Sequence, residues 1–380
     1  MTGPASSSPK ADAYQQTPLE ERLVSLIRDH GPIRVGDYMT DVLTHPQHGY
    51  YSTQQALGQK GDFTTSPEIS QVFGELIGSW LIYAWEEMGA PSAFNLIELG
   101  PGRGTLMADI LRVAKIRPKF LKAVHVYMIE ASGRMRYQQK RLLHETGVRI
   151  TWADRLEDVP PAPFLLCANE FFDCLPIRQF VRTADQDDRP WRERLVGLSD
   201  NPEQPLAFVL SDARFADQPG MPPGATPEAV YEFSPSAADV VTEITHRLSE
   251  NKGRALIVDY GHGRSGYGDT LQAMHNHGSW PVLHRPGMAD VTAHVDFGAL
   301  ARKARVEDAR VDGPVRQSDF LARLGLRQRL DALEKIIEDD QKRENLRTGA
   351  LRLVDADGMG SLFKVMAISP KGSAAPPGFE

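Results

Sequence analysis

Along the chain, short runs of apolar residues alternate with stretches in which apolar positions recur every three or four residues. Leu96, Ile97 and Leu99 make a short apolar strand. Beyond a glycine-rich turn, Leu106, Ile110 and Val113 fall at i, i+4 and i+7, the spacing of one buried helical face. Residues 124–130 (VHVYMIE), 148–154 (VRITWAD) and 254–260 (RALIVDY) read as further strands. The continuous run 164–168 (FLLCA) marks a strand covered on both faces. Residues 360–368 (GSLFKVMAI) read as a closing strand. Helices are predicted over 18–30, on Leu19, Leu23 and Ile27, and from Val35 to just before His45. Another runs from Ser66 onward, with Ile69, Val72, Phe73, Leu76, Ile77 and Trp80 as its apolar face. A further helix starts at 231–235 and carries Ala237, Val241 and Ile244. The Pro-, Asp- and Gly-rich span 183–230 predicts hairpins or loops decorating the sheet, and 321–338 predicts exposed helices forming a cap or partner surface.

Gly100, Pro101, Gly102, Arg103 and Gly104 separate the first of these strands from its helix. Glycines at alternate positions let the backbone turn tightly and a ligand approach without meeting a Cβ. The helix N-terminus adds free N–H groups and a positive dipole end. A dinucleotide fingerprint would need glycine at 105, where the chain has Thr105, and no Gly-Lys-Ser/Thr follows to make a P-loop. Glu98, two residues before G-x-G-x-G, completes a pattern that resembles motif I of class I S-adenosylmethionine-dependent methyltransferases. That resemblance implies a loop receiving the amino-acid end of the cofactor.

Glu130 ends the next strand, where a carboxylate can accept both ribose hydroxyls; a surface glutamate at a helix start is the alternative. Asp154 ends the third, and the class I resemblance implies contact with the adenine amino group, against an N-cap as the bland alternative. Asn169, Glu170 and Asp173 leave the carboxyl end of a buried central strand, where open α/β sheets bind ligands. Gly61, Asp62, Phe63 and Thr64 precede a helix start that does not need them, and could fold over a ligand as a lid.

The chain has 380 residues, room for two or three domains or one with large insertions. A formal net charge of −7 argues against a nucleic-acid partner. Cys167 and Cys174 make no disulfide framework, which points to a reducing compartment. His45 and His48, like His275, His277, His284 and His294, match no zinc spacing, so no metal is expected. There is no G-x-S-x-G and no cysteine with an evident histidine partner, which disfavours covalent hydrolase chemistry. No apolar run approaches a membrane span. Residues 1–16 lack arginine and an apolar core, and read as a disordered tail, neither signal nor transit peptide. The expectation is therefore a cytoplasmic bacterial protein, with the mitochondrial matrix disfavoured.

The motif GDFTTSPEISQVFGE (61–75), followed by IELGPGRGTLMADILR (97–112), is similar to the MidA-like family, which includes the mitochondrial complex I assembly-factor methyltransferases. The resemblance continues in NEFFDCLP (169–176), LIVDYGHG (256–263), GDTLQAMHNH (268–277), PGMADVTAHVDF (286–297) and MGSLFKVM (359–366), and so covers roughly 18–368 in order. The family often has Ser-Pro after its counterpart of Glu130; here Ala131-Ser132-Gly133 stands instead. The expected fold is α/β, a class I Rossmann-like methyltransferase sheet over 17–370. It carries an N-terminal helical cap over about 17–79, a large insertion over about 264–345, and a disordered tail at 371–380. The resemblance implies S-adenosylmethionine as cofactor, a protein partner, and symmetric dimethylation of an arginine on a complex I subunit. It also turns Glu232 toward the site.

A guanidinium stays protonated, with a pKa above about 12, and its charge repels the cofactor's sulfonium. Carboxylates can hold its planar fork bidentately. Glu170 and Asp173 are the main catalytic candidates, with Asp62 a third from the lid. Glu98, Gly100, Pro101, Gly102, Gly104, Glu130, Asp154 and Asn169 are expected around the cofactor. Two alternatives stay open at this point: a methyltransferase with another acceptor, or a cofactor-binding assembly factor with little catalysis.

Overall fold

The computed structural model describes residues 15–53, 65–184 and 188–380. Thr17 caps α1 (Pro18–His30) by accepting the Glu20 N–H, and Gly31 ends it with positive φ. The two-residue β1 (Ile33–Arg34) leads into α2 (Val35–Thr44), and α3 (Tyr50–Thr53) is a single turn. From Ser66 the chain does not run on as one helix. A first turn, α4 (Ser66–Ile69), stops at Ser70, which is extended and caps α5 (Gln71–Glu87) by accepting the Val72 N–H. A serine hydroxyl favours caps over helix interiors, and apolar spacing alone conceals the break.

The next segment alternates strand and helix: β2 (Phe94–Leu99), α6 (Thr105–Ala114), α7 (Pro118–Ala123), β3 (Val124–Ile129), α8 (Gly133–Leu143), β4 (Ile150–Ala153) and β5 (Phe164–Asn169). Four strands then follow: β6 (Arg178–Arg182), β7 (Trp191–Leu198), β8 (Leu206–Phe215) and β9 (Val230–Phe233). After α9 (Pro235–Glu250) and β10 (Gly253–His262) come β11 (Gln272–His275), β12 (Gly278–Trp280), β13 (Asp290–Thr292) and β14 (Val295–Asp296). The chain ends with α10 (Phe297–Val306), β15 (Arg310–Arg316), α11 (Gln317–Arg323), α12 (Leu326–Glu334), α13 (Asp340–Val354), α14 (Met359–Leu362) and β16 (Phe363–Ser369).

The main sheet has the order β15-β16-β10-β5-β2-β3-β4, with β14 beside β10. Its strands β4, β3, β2, β5 and β10 are parallel, and β16 and β15 close it antiparallel. Every residue of β2 and β5 is buried, as continuous apolar runs require of strands covered on both faces. Alternation along β5 divides the core. Leu165 and Cys167 pack with Trp80, Ile110 and Phe320 on one face, Leu166 and Ala168 with Val241, Phe297 and Leu300 on the other.

Several expectations are corrected. Residues 183–230 do not decorate the main sheet. Their strands β7 and β8 join β1, β6 and β9 in a separate five-stranded antiparallel sheet, ordered β1-β7-β6-β9 with β8 on β7. Tyr231–Phe233 belongs to β9, and the helix starts only at Pro235, capped by Ser234. The helices over 321–338 are not simply exposed, since Leu321, Leu326, Leu330 and Leu333 are buried in the core. Within 264–345, β15 joins the main sheet and α10 packs on its face, while β11, β12 and β13 form a small sheet of their own. A third core of Leu19, Tyr38, Tyr50, Val196, Ala273 and Val291 joins the N-terminal helices to both smaller sheets.

The last ten residues, expected as a disordered tail from their Gly, Ser and Pro content, are tied down. The Pro377 carbonyl accepts from Trp80 Nε1 at 3.1 Å, Gly378 from Arg323 at 3.2 Å and Ala374 from Arg254 at 3.0 Å; the Phe379 ring lies 5.2 Å from that of Phe320. Deleting residues 371–380 is expected to lower the unfolding free energy by roughly 2–4 kcal/mol, read from urea denaturation. An unchanged midpoint would contradict this anchoring.

Candidate active site

A cavity of about 480 Å³ opens at the carboxyl ends of β2, β3 and β5, the usual ligand position of an open α/β sheet and a volume suited to a small molecule. One wall is the glycine turn. Gly100 and Gly102 have φ of +58° and +51°. A Cβ on Gly100 would lie 2.8 Å from Phe171 Cδ2, so glycine there lets the loop after β5 approach. Gly104 does not line the cavity; it precedes α6 in the left-handed conformation, against Gln139.

Two residues that the sequence did not single out hold this wall. Glu68, on the single turn α4, accepts from the Thr105 hydroxyl at 2.5 Å and from Arg103 at 3.1 Å. Gln139, buried on α8, donates to the Gly102 carbonyl at 2.7 Å and to Glu130 Oε2 at 3.2 Å. Trp152 Nε1 donates to its amide oxygen, which fixes which end of the amide faces the loop. Glu68 was legible only as an acidic first-turn residue, and Gln139 carried no signal.

Glu130 lies just past β3, with Oε1 accepting the Ser132 N–H at 2.7 Å. Burial raises its pKa against these hydrogen bonds. Asp154 stands at the rim with its side chain 73% exposed and is paired with Arg136. On the floor, Glu98 is 3% exposed, its Oε2 has no partner, and burial pushes its pKa to about 8.

The loop after β5 carries the remaining candidates. The Glu170 N–H donates to Val258, the last rung against β10. Beyond it, Asp259 Oδ2 accepts three successive backbone N–H groups, from Phe171 at 3.1 Å, Phe172 at 2.9 Å and Asp173 at 3.3 Å. Asp259 is fully buried, and burial, with Asp173 and Glu170 nearby, raises its pKa well above the carboxyl range. Glu170 adopts φ of +51°, uncommon for a residue with a side chain. Its Oε1 accepts from the Ser66 N–H at 2.8 Å and from Asn169 Nδ2 at 3.1 Å, and burial raises its pKa to about 7. Burial also raises Asp173.

Glu98, Gly100, Pro101, Gly102, Glu130, Asp154, Asn169, Glu170 and Asp173 thus all line one cavity. Asp62 and its proposed lid lie outside the described residues. Glu232 does not face the site; it accepts from Gln179 and Thr270, joining β9 to β6 and to the segment before β11. Among the described residues, no group of three or more His, Cys, Asp or Glu side chains is placed to hold a metal ion, and no helix is long and apolar enough to cross a membrane.

On residues lining this cavity, four buried acceptors have no partner: Glu98 Oε2, Asn169 Oδ1, Glu170 Oε2 and Asp173 Oδ1. Orphaned buried acceptors are costly, and they suit a ligand rich in positive charge and hydroxyl donors. S-adenosylmethionine, with its sulfonium, ammonium and ribose, fits that donor set. The glycine turn and Glu98 would meet its amino-acid end, and Glu130 the ribose.

Comparison with known proteins gives the family. Residues 76–315 match the model of the family Methyltransf_28, described as "Putative S-adenosyl-L-methionine-dependent methyltransferase". The chain is 37% identical to the Mus musculus protein named protein arginine methyltransferase NDUFAF7, mitochondrial, over 96% of this chain and 87% of that one. The Homo sapiens protein of the same name is 36% identical over 93% and 84%. A crystal structure of a COG1565 superfamily member from Burkholderia thailandensis, bound to S-adenosylhomocysteine, superposes with a TM-score of 0.80 at 26% identity, covering 95% and 93% of the two chains. Gly102→Val would place a β-branched side chain at φ of +51° on the cavity wall; the expected result is at least a 100-fold loss of S-adenosylmethionine affinity by calorimetry, with the far-ultraviolet circular dichroism retained. Normal binding by that variant would overturn the assignment of the loop. In sequence and fold, the chain belongs to the family of S-adenosylmethionine-dependent methyltransferases.

Proposed function

We propose that the enzyme transfers methyl groups to the guanidinium of an arginine in a protein, and that this protein is a subunit of respiratory complex I. The observation that carries the arginine reading is the pair of unpartnered carboxylate oxygens, Glu170 Oε2 and Asp173 Oδ1, on one loop hydrogen-bonded to Asp259. The relatives named as arginine methyltransferases support it. The complex I acceptor rests on the family resemblance.

S-adenosylmethionine, when bound, supplies an electrophilic methyl carbon on a positively charged sulfur. The protein's task is to present a neutral nitrogen lone pair to that carbon. Two carboxylates binding a guanidinium draw its charge toward the nitrogens they touch and leave the third freer to attack. As the N–C bond forms and the C–S electrons return to sulfur, the attacking nitrogen loses a proton. Glu170 is suited to take it, because burial has already raised its proton affinity into the neutral range.

The test is incubation of the enzyme and S-adenosylmethionine with purified complex I subunits, followed by mass spectrometry for methylarginine. Wild type is expected to yield it. Glu170→Gln, which keeps the shape and removes the base, is expected to lower transfer at least 100-fold with cofactor affinity changed less than threefold. Methylation confined to other residue types, or unchanged turnover in the variant, would contradict the proposal.

A further inference from the structure

We propose that Asp290 and Tyr51 complete the acceptor pocket, Asp290 as a third carboxylate for the guanidinium and Tyr51 as the residue that positions it. This rests on the arginine reading above. It accounts for the motif at 286–297, to which the cofactor site assigns no role.

Asp290 begins β13 of the small three-stranded sheet and lines the same cavity as Glu170 and Asp173, though more than a hundred residues away in sequence. It is 7% exposed, as is Asp173. The Tyr51 hydroxyl donates to Asp290 Oδ1 at 3.1 Å. Burial, and then Asp290 itself, raise the Tyr51 pKa, so the phenol remains a donor at neutral pH.

The small sheet is fastened to the loop after β5 and to β10. The Ala293 N–H donates to the Asp173 carbonyl at 2.9 Å, and the Tyr260 hydroxyl to Thr292 Oγ1 at 2.6 Å. On the other side, Ser132 Oγ donates to the Tyr51 carbonyl at 3.3 Å, which ties α3 to the start of α8 beside Glu130. One framework therefore sets Asp290 against both the acceptor loop and the cofactor end.

The charge pattern selects the ligand. Among the described lining residues the cations are Arg103 and Arg155, in the glycine turn and beside Asp154. The end formed by Tyr51, Glu170, Asp173 and Asp290 carries acidic groups and, among the described residues, no basic residue in the lining. Asp173 Oδ1 and Glu170 Oε2 are buried and unpartnered there. A guanidinium beside a sulfonium brings two positive charges, which three carboxylates can match. Its five N–H donors lie in one plane and need acceptors from several directions, whereas an ammonium offers three donors from a single point. Acceptors from two separate elements, the loop after β5 and β13, suit the fork.

The experiment is calorimetric titration of the full chain, saturated with S-adenosylhomocysteine, by Nα-acetylarginine amide and Nα-acetyllysine amide. The wild type is expected to prefer the arginine probe. Asp290→Asn is expected to weaken that probe at least tenfold while S-adenosylhomocysteine affinity stays within twofold. Tyr51→Phe, which removes one hydroxyl and guards against a misfolded first variant, is expected to weaken the probe threefold or more. With protein acceptor it should raise KM more than it lowers kcat. No binding or no preference in the wild type, wild-type probe affinity in Asp290→Asn, or equal loss of probe and S-adenosylhomocysteine would overturn the proposal. An arginine preference that depends on Asp290, without methylarginine in any protein product, would defeat the proposed function and leave this pocket standing.

Discussion

Asp259, one residue past the last rung between β10 and β5, gathers the backbone N–H groups of Phe171, Phe172 and Asp173 onto one carboxylate oxygen. The sheet ladder reaches only as far as the Glu170 N–H. Past that rung the chain turns away, and buried N–H groups left without partners would each cost about 1–3 kcal/mol. The side chain of the neighbouring strand supplies the acceptor that the backbone cannot. With the loop fixed this way, Glu170 is held in the left-handed region and Asp173 faces the cavity. A carboxylate buried this deeply is expensive, and several N–H donors offset that expense only while the loop keeps its shape.

Elements remote in sequence depend on this loop. Ser66 donates to Glu170, and Glu68, on the same short helix, holds Thr105 and Arg103 of the cofactor turn. The break at Ser70 sets that short helix apart from α5 as a separate turn. From the opposite side, β13 is fastened to Asp173 and brings Asp290 with it. The parallel sheet gives the end of the cavity lined by the glycine turn and Glu130, and the N-terminal helices and small sheet bring Tyr51 and Asp290 to the other end.

Much of this was legible in the sequence because it is periodic or ends in a marked residue. Apolar runs located β2, β3, β5 and β10, and Glu130 after β3 and Asn169 and Glu170 at the end of β5 line the cavity. Asp259 ends such a run as well, but whether a terminal carboxylate meets a ligand or a loop depends on which strands are neighbours. The second sheet was missed because its strands are joined by Pro-, Asp- and Gly-rich links and its first member, β1, lies far upstream. Glu68, Gln139 and Asp290 were missed as site residues because each acts across a distance that no local pattern encodes. The C-terminal segment looked disordered by composition, yet its backbone carbonyls, invisible to composition, accept from the buried Trp80 and Arg254 and from the exposed Arg323.

The most direct test of this account is backbone amide exchange at Phe171, Phe172 and Asp173 in the wild type and in Asp259→Asn, with methyl transfer measured on the same samples. Asparagine keeps one acceptor and sets an NH₂ group where the second oxygen stood. The account predicts slow exchange in the wild type, exchange at least tenfold faster in the variant, and transfer reduced about 100-fold, as a displacement near 1 Å at reacting groups can cost. Slow exchange with full activity in Asp259→Asn would show that something other than Asp259 holds the loop.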